Sequence, residues 1–423
     1  MKNLSNKIKN LIEGNKTLLS NFSYLSILQI SLLFMPLIAY PYLIRVLGKE
    51  LYGLVIFTTV IAGYFTIFIS FGFSMTGAKE VSIHRDNFQK LSEIVSAILI
   101  IKSVLLLVCF LVLYGYFILY PSPYQVLYYL AFGACLLDVI FPQWFFQGIE
   151  KMKFITMISL GARLVFLGLI FVFVEEQSDV LWFPLANLVA TVISGTASFY
   201  LIKKEGVRFV TPSFLTIKHY IKESYHFFLS NVLIQIYVNS NKAIIGTFLG
   251  MGAVAYYDLA EKIVNLIRIP QGIISQVSFP RISSTKSTSF IKKIFRVSLV
   301  INIFLYILLF FTAEYIVLLL GGKEMLSAVP IVQILGLLAP VVAVSNTMGI
   351  LTLVPFGFNK LFTKMIGFSV VSYLAMFVAV WGLDIISVYS LSVVNVLTEV
   401  IVTIISIYFV YKTGVLWKKN TII

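Results

Sequence analysis

Apolar residues in this chain run on rather than alternate. Twelve stretches, near 21–45, 50–75, 92–118, 125–147, 154–174, 180–202, 225–247, 254–279, 294–320, 326–354, 361–383 and 386–411, are predominantly apolar, and little loop separates them. A helix needs about 20 mostly apolar residues to cross a hydrocarbon core, so each stretch predicts one transmembrane helix. Lipid offers backbone groups no partner, which leaves helices or closed barrels as spanning structures. A barrel strand would alternate over about ten residues. Tracts such as LLFMPLIAYPYLI (residues 32–44) are too long and too uniform for that. The pattern predicts an all-α polytopic membrane protein with twelve transmembrane helices and no soluble domain in which water-based chemistry would be housed.

Polar residues inside these stretches recur at helical spacing. The sixth has Asn187, Thr191, Ser194 and Ser198; the seventh has Asn231, Gln235, Asn239 and Lys242. The eighth has Asp258, Glu261, Lys262, Asn265 and Arg268, and the twelfth has Asn395, Glu399, Thr403 and Ser406. Steps of three, four and seven put each set on one helix face. Such a face packs on another helix through hydrogen bonds or lines water. Charge favours the second, because a charge in the membrane costs several kcal/mol unless paired or hydrated. At about 1.5 Å per residue, Lys102, Asp138, Arg163, Arg268 and Glu399 lie near the midplane, with Lys242, Asp258, Glu261 and Lys262 nearer the outer side. As structural ions they would pair, Asp138 with Arg163 or Lys102, and Asp258 with Lys262 one turn along. At the midplane three cations outnumber two carboxylates, an electropositive centre that suits an anionic substrate.

Composition agrees with the pattern: 59% of residues are hydrophobic and 12% charged. The net charge of +14 would suit nucleic acid, but its distribution excludes that partner. With the N-terminus placed in the cytoplasm, inside loops and tails carry 24 of the Lys and Arg residues, and outside loops carry three, Arg45, Lys49 and Lys323. That asymmetry sets orientation, with both termini cytoplasmic, and meets anionic lipid head groups. Cys109 and Cys135 lie in apolar stretches and form neither a disulfide framework nor a zinc spacing, so no metal or other cofactor is expected. No signal peptide precedes the first span. Leu4, Ile8, Leu11 and Ile12 share a helical face, which predicts a short amphipathic helix on the inner membrane surface.

The longest polar interruption, 203–223, falls in the middle of the chain, and the flanking halves are weakly alike. VLGKELYG (Val46–Gly53) and FLGMGAVAYY (Phe248–Tyr257) put Gly48 and Gly250 at equivalent places; QGIEKMKF and FGFNKLFT do so for Gly148 and Gly357. The expected organisation is an amphipathic cytoplasmic segment (1–20), an N-lobe of six spans (21–202), a cytoplasmic linker (203–223), a C-lobe of six spans (224–411) and a cytoplasmic tail (412–423). Parallel halves around a central site are a transporter design. Prolines within the stretches, Pro36, Pro41, Pro142, Pro184, Pro270, Pro330 and Pro340, predict bends. Tyr114, Tyr116, Tyr120, Tyr124, Tyr128 and Tyr129 predict an interfacial aromatic belt.

The block FPQWFFQGIEKMKFIT (Phe141–Thr156) resembles the signature of the Wzx-like O-antigen and polysaccharide flippases, as do RVLGKELYG (Arg45–Gly53), FGFSMTGAKEVS (Phe71–Ser82), YYDLAEKIV (Tyr256–Val264) and FPRIS (Phe279–Ser283). The blocks are spread over most of the chain, in family order. The family belongs to the multidrug/oligosaccharidyl-lipid/polysaccharide exporter superfamily. The resemblance implies two six-helix lobes around a cationic cavity. It also implies alternating access coupled to an ion gradient, with H+ or Na+ as the coupling ion. The substrate it implies is an undecaprenyl-pyrophosphate-linked oligosaccharide, an O-antigen or related repeat unit, moved to the periplasmic leaflet of the bacterial inner membrane. Membrane lipids, a polysaccharide polymerase and a chain-length regulator are the further partners implied. On that reading Arg163, Arg268, Lys102 and Lys242, with Arg45 and Lys262, are candidates for the substrate's anion. Asp138, Glu399, Glu261 and Asp258 are candidates for ion coupling.

A multidrug exporter of the same superfamily is the nearest alternative, but cationic drugs prefer an acidic cavity. A membrane-embedded polymerase or glycosyltransferase needs sizeable extramembrane loops for its catalytic groups, and the outer loops here are short. The chain also lacks a Gly-Lys-Ser phosphate loop. A transporter rather than an enzyme is expected.

Overall fold

The computed structural model describes residues 16–417. The amphipathic helix expected within 1–20 lies outside the described residues up to position 15, as does the end of the tail from 418; the side chain of Asn239 is likewise outside them. Among the described residues there are helices and connections and no strand. The helices are α1 (Lys16–Ser70), α2 (Phe73–Ile83), α3 (Phe88–Leu119), α4 (Gln125–Phe132), α5 (Leu136–Ile140), α6 (Gln143–Gly148), α7 (Met152–Phe173) and α8 (Trp182–Lys204). There follow α9 (Phe214–Phe248), α10 (Met251–Ile267), α11 (Ile269–Thr285), α12 (Thr288–Gly321), α13 (Val329–Gly336), α14 (Leu338–Met348), α15 (Asn359–Gly382) and α16 (Val388–Thr413).

Nine helical runs among the described residues are long and apolar enough to cross a membrane. The first, Ser23–Ile83, covers two stretches that the sequence reads as separate spans. Helices α9, α10 and α11 occupy the seventh and eighth stretches but are not among the nine; there the polar stripes are densest. The chain is a multi-pass, all-helical membrane protein.

Several breaks follow from local chemistry. Proline lacks a backbone donor. Pro142 divides α5 from α6, and Pro270 and Pro330 enter at the first positions of α11 and α13, where the missing donor costs nothing. Pro36 and Pro41 sit inside α1. Gly48 interrupts α1 with φ 71° and ψ 169°, and Gly250 before α10 has φ 90° and ψ 171°. L side chains rarely adopt either conformation, so the first match between the halves marks one backbone feature used twice. The second match does not carry over. Gly148 ends α6, and the left-handed residue of that turn is Glu150, whereas Gly357 itself has φ 85°.

Two compact units emerge. One comprises the chain up to Leu47 together with Thr58–Gln235; the other comprises Gly48–Phe57 and the chain from Ile236 onward. The first packs around Phe73, Ile94, Ile98, Phe145 and Phe146, the second around Ile282, Ile291, Leu351, Leu353 and Val410. The segment Gly48–Phe57 joins the second unit by close approach: a side chain at Gly53 would collide with the Met251 carbonyl, and Glu50 accepts from the Gly252 amide at 3.0 Å. Large apolar residues face outward on α3 (Val104, Leu107, Leu111) and α12 (Val300, Phe304, Phe311), as lipid-facing surfaces must. The tyrosines expected at a boundary are mutually packed, Tyr116 on Tyr120 at 5.3 Å and Tyr114 on Tyr129 at 6.3 Å.

Residues 203–223, read as a linker, are fastened to α3. The amides of Arg208 and Val210 donate to the Ser92 and Ser96 hydroxyls at 3.0 and 2.9 Å, and Thr216 donates to Glu93 at 2.6 Å. Helix α9 begins within this stretch, at Phe214.

Candidate substrate and coupling sites

In the first unit the midplane charges resolve into one pair and one arginine. The Lys102 ammonium on α3 lies 2.7 Å from the Asp138 carboxylate on α5 and 3.0 Å from the carbonyl of the same residue. Proline explains the second bond. That carbonyl would accept from the amide four residues on, which is Pro142 and has no N–H; the lysine replaces it. Lys102 is 1% exposed, so its charge and its donors are committed to Asp138. The pair borders a cavity of about 230 Å³ that Thr66, Ser74, Gln143, Trp144 and Gln147 also line. The Phe-Pro-Gln-Trp-Phe-Phe-Gln-Gly block thus forms a wall of a polar cavity.

A second cavity, about 260 Å³, shares Leu137, Phe141 and Gln143 with the first. Arg163 and Ser159 reach it from α7, Asn187, Thr191 and Ser194 from α8, and Tyr40 from α1. No carboxylate lines it, and among the described residues none lies within ion-pair distance of Arg163. Of the structural pairings the sequence leaves open for Asp138, the one formed is with Lys102. Thr156, on the Arg163 face of α7, is used to tie helices: its hydroxyl donates to the Tyr24 carbonyl at 2.9 Å.

The second unit gathers its charges into a knot. Lys242 on α9 contacts Asp258 at 2.7 Å and Glu261 at 2.5 Å, both on α10. Lys262 pairs with the other oxygen of Asp258. The Tyr52 hydroxyl donates to that oxygen at 2.6 Å and accepts from Lys262 at 2.9 Å. Asp258 is 1% exposed and takes three donors; two cations and two carboxylates cancel. A layer of neutral bonds lies alongside. Asn241 and Asn395 donate to the Tyr257 hydroxyl at 2.8 and 3.0 Å, and Tyr373 donates to Asn241 at 2.6 Å. A cavity of about 140 Å³ adjoins the knot through Glu261, with Asn265, Arg268, Asn395 and Glu399 in its wall. Arg268 stands 3.5 Å from the Asn265 amide oxygen and has no carboxylate within ion-pair distance among the described residues. Arg45 is exposed, near Gly48.

Of the expected anion-binding residues, Lys102, Lys242 and Lys262 are therefore engaged by carboxylates, whereas Arg163 and Arg268 line cavities. Of the expected coupling residues, Asp138, Asp258 and Glu261 are held by lysine, and Glu261 shares one cavity with Glu399. Tyr52, Tyr257 and Tyr373 complete the knot without belonging to any polar stripe. The sequence signal available was the position of Tyr52 in the loop block shared by the two halves.

Comparison with known proteins adds three findings. A family model described as "Polysaccharide biosynthesis protein" matches residues 18–286. A relative from Escherichia coli (strain K12), named "Putative O-antigen transporter", is 28% identical over 355 residues, covering 82% of this chain and 86% of the relative. Among solved structures, the lipid II flippase MurJ in an inward closed conformation superposes with a TM-score of 0.74 at 14% identity, over 91% of this chain and 87% of that one. An inward-facing multidrug resistance transporter of the MATE family and MOP superfamily gives 0.71 at 13%, over 95% and 99%. Identities this low speak to the fold alone.

Proposed function

Because the chain belongs to the polysaccharide biosynthesis protein family, we propose that it is a flippase for a lipid-linked oligosaccharide and not an enzyme. The substrate is an undecaprenyl-pyrophosphate-linked repeat unit, of O-antigen type, moved from the cytoplasmic to the periplasmic leaflet of the bacterial inner membrane. Twelve spans in two six-helix lobes, with both termini cytoplasmic, alternate access to it. The observation that carries this reading is two arginines that no carboxylate pairs with among the described residues: Arg268, and Arg163 in a polar cavity that no carboxylate lines. Charge there is costly unless a ligand or water meets it, and an anionic ligand meets it best. The name of the E. coli relative and the lipid II flippase among the structural neighbours support the same substrate class. A cationic drug would be repelled from this cavity.

The substrate's phosphates are assigned to Arg268, with Arg45 at the surface. Lys102 and Lys242 contribute by holding Asp138 and Asp258 in place. Glu261 and Glu399, facing one cavity with Arg268, are assigned the coupling ion, H+ or Na+. Anion binding at Arg268 and ion occupancy at the carboxylates would then each change the affinity for the other, which is the linkage that coupling requires.

Complementation of a flippase-null strain tests the reading, with membrane levels followed by immunoblot. Arg268→Ala should abolish surface polysaccharide at a normal protein level, and Glu399→Gln should weaken gradient-driven transport while leaving binding of undecaprenyl pyrophosphate intact. Normal surface polysaccharide from Arg268→Ala would refute the phosphate assignment. Failure of the wild-type chain to move any lipid-linked sugar in vesicles would refute the function.

A further inference from the structure

Each unit has one basic end, the end read as cytoplasmic, and the two ends treat their surface charge differently. In the first unit the cations come with carboxylates: Lys90 meets Glu93 at 2.8 Å, Lys151 meets Glu205 at 2.5 Å and Arg85 meets Glu150 at 3.6 Å. In the second, Arg281 lies near the end of α11, Lys292, Lys293 and Arg296 near the start of α12, and Lys360 and Lys364 near the start of α15. All six are exposed, and none has a carboxylate within ion-pair distance among the described residues. No Asp or Glu occurs in 262–313, in 325–383 or from 400 onward. Orientation in the membrane does not demand this. Lys and Arg set it and Asp and Glu contribute little, so carboxylates like those of the first unit would be tolerated here. The cations are also gathered. Ile282 of α11, Phe290, Ile291 and Ile294 of α12, and Leu361 and Met365 of α15 belong to one apolar cluster, and the basic residues alternate with them along the chain. The Arg281 guanidinium lies 4.3 Å from the centre of the Phe290 ring, a cation–π contact that fixes it against α12. Like charges held together in this way repel one another unless anions meet them.

Helix α12 narrows the anion. Arg296, Val300, Phe304, Ile307 and Phe311 follow at steps of four, four, three and four, which puts them on one helix face, and all five are exposed. A cation at the head of a bare apolar stripe matches a molecule in which an anion and a hydrocarbon chain are joined. An acidic peptide or a free phosphate would meet the cation and leave the stripe as it was. Helix α3 is the internal control. It also turns Val104, Leu107 and Leu111 outward, but the lysine at its start, Lys90, is spent on Glu93. We propose that the basic end of the second unit is a binding site for an anionic phospholipid. Lys292, Lys293 and Arg296, with Arg281 beside them on Phe290, hold the phosphodiester, and one acyl chain lies along the α12 stripe. The guanidinium forks take phosphate oxygens and the lysines add point charge. None of these residues lines a cavity described above, and the site does not depend on the flippase reading.

Native mass spectrometry of the full-length protein in detergent tests it, with phosphatidylglycerol, phosphatidylcholine, inorganic phosphate and undecaprenyl pyrophosphate as probes. The first phosphatidylglycerol should bind roughly tenfold or more tighter than phosphatidylcholine, and Lys292→Gln/Lys293→Gln should remove most of that preference. Arg296→Gln should lower it about threefold to fivefold, which keeps the test decisive if the double variant fails to fold. Lys90→Gln on α3 should leave it unchanged. Phosphatidylglycerol should also raise the melting temperature of the wild-type chain more than phosphatidylcholine does, because a ligand of the folded state stabilises it. Equal affinity for the two phospholipids, a preference that survives both basic variants, or an equal loss from Lys90→Gln would each overturn the site. Displacement of phosphatidylglycerol by inorganic phosphate would show a bare anion site, and tighter binding of undecaprenyl pyrophosphate to the same residues would show a substrate site; either result also overturns the proposal.

Discussion

The two units treat buried charge in opposite ways. The second ties Lys242, Lys262, Asp258 and Glu261 into a neutral knot closed by Tyr52. The first spends Lys102 on Asp138 and leaves Arg163 in a cavity without a carboxylate. Breaking one partner out of a buried ion pair leaves an uncompensated charge, whereas removing a cation that has no ionic partner leaves none. The knot should therefore report on stability and the lone arginine on ligand recognition. Charges of the same kind need not share a role.

That contrast is sharpest at Asp258. Asp258→Ala strands two lysines and the Tyr52 hydroxyl, and should cost about 3–5 kcal/mol or more, seen as lost membrane protein or a collapsed melting transition in detergent. An unchanged transition would mean that water already hydrates the knot.

Lys102→Met should be next in size, about 3 kcal/mol, because it strands Asp138 and also unpairs the carbonyl that faces Pro142. The double variant Lys102→Met/Asp138→Leu should recover part of that loss. A double variant as unstable as the sum of its singles would show that the pair is not acting as a unit.

Tyr52→Phe removes one hydroxyl from Asp258 and keeps the ring, so a loss of about 1–2 kcal/mol is expected by the same melting measurement. Arg163→Gln should shift the melting temperature least of all while impairing transport. Destabilisation by this variant on the scale of Asp258→Ala would erase the contrast between the units.

Much of this organisation was legible in the chain. Runs of apolar residues predict helices because lipid satisfies no backbone group. The stripes Asn187–Thr191–Ser194 and Asp258–Glu261–Lys262–Asn265–Arg268 locate the cavity walls because helical periodicity is a local property. The midplane excess of one positive charge was also countable, but not its owner. The broken helix at Pro142 was written in the sequence, whereas its consequence, a free carbonyl taken by Lys102, was not. The stretch 203–223 looks like a linker because it is polar; the amides of Arg208 and Val210 and the Thr216 hydroxyl bond to Ser92, Ser96 and Glu93 on a helix more than a hundred residues earlier.

The sequence alone determined an all-helical, membrane-spanning chain with polar faces on particular helices, because lipid and the helix period act residue by residue. Only the tertiary structure decided which charges cancel. Lys102 meets Asp138 across 36 residues, Lys242 meets Asp258 across 16, and Tyr52 reaches Asp258 across 206. Those pairings depend on which helix faces pack together. Electrostatic energy falls with distance in space rather than along the chain, so no spacing rule identifies Arg163 as a cation without a carboxylate partner among the described residues.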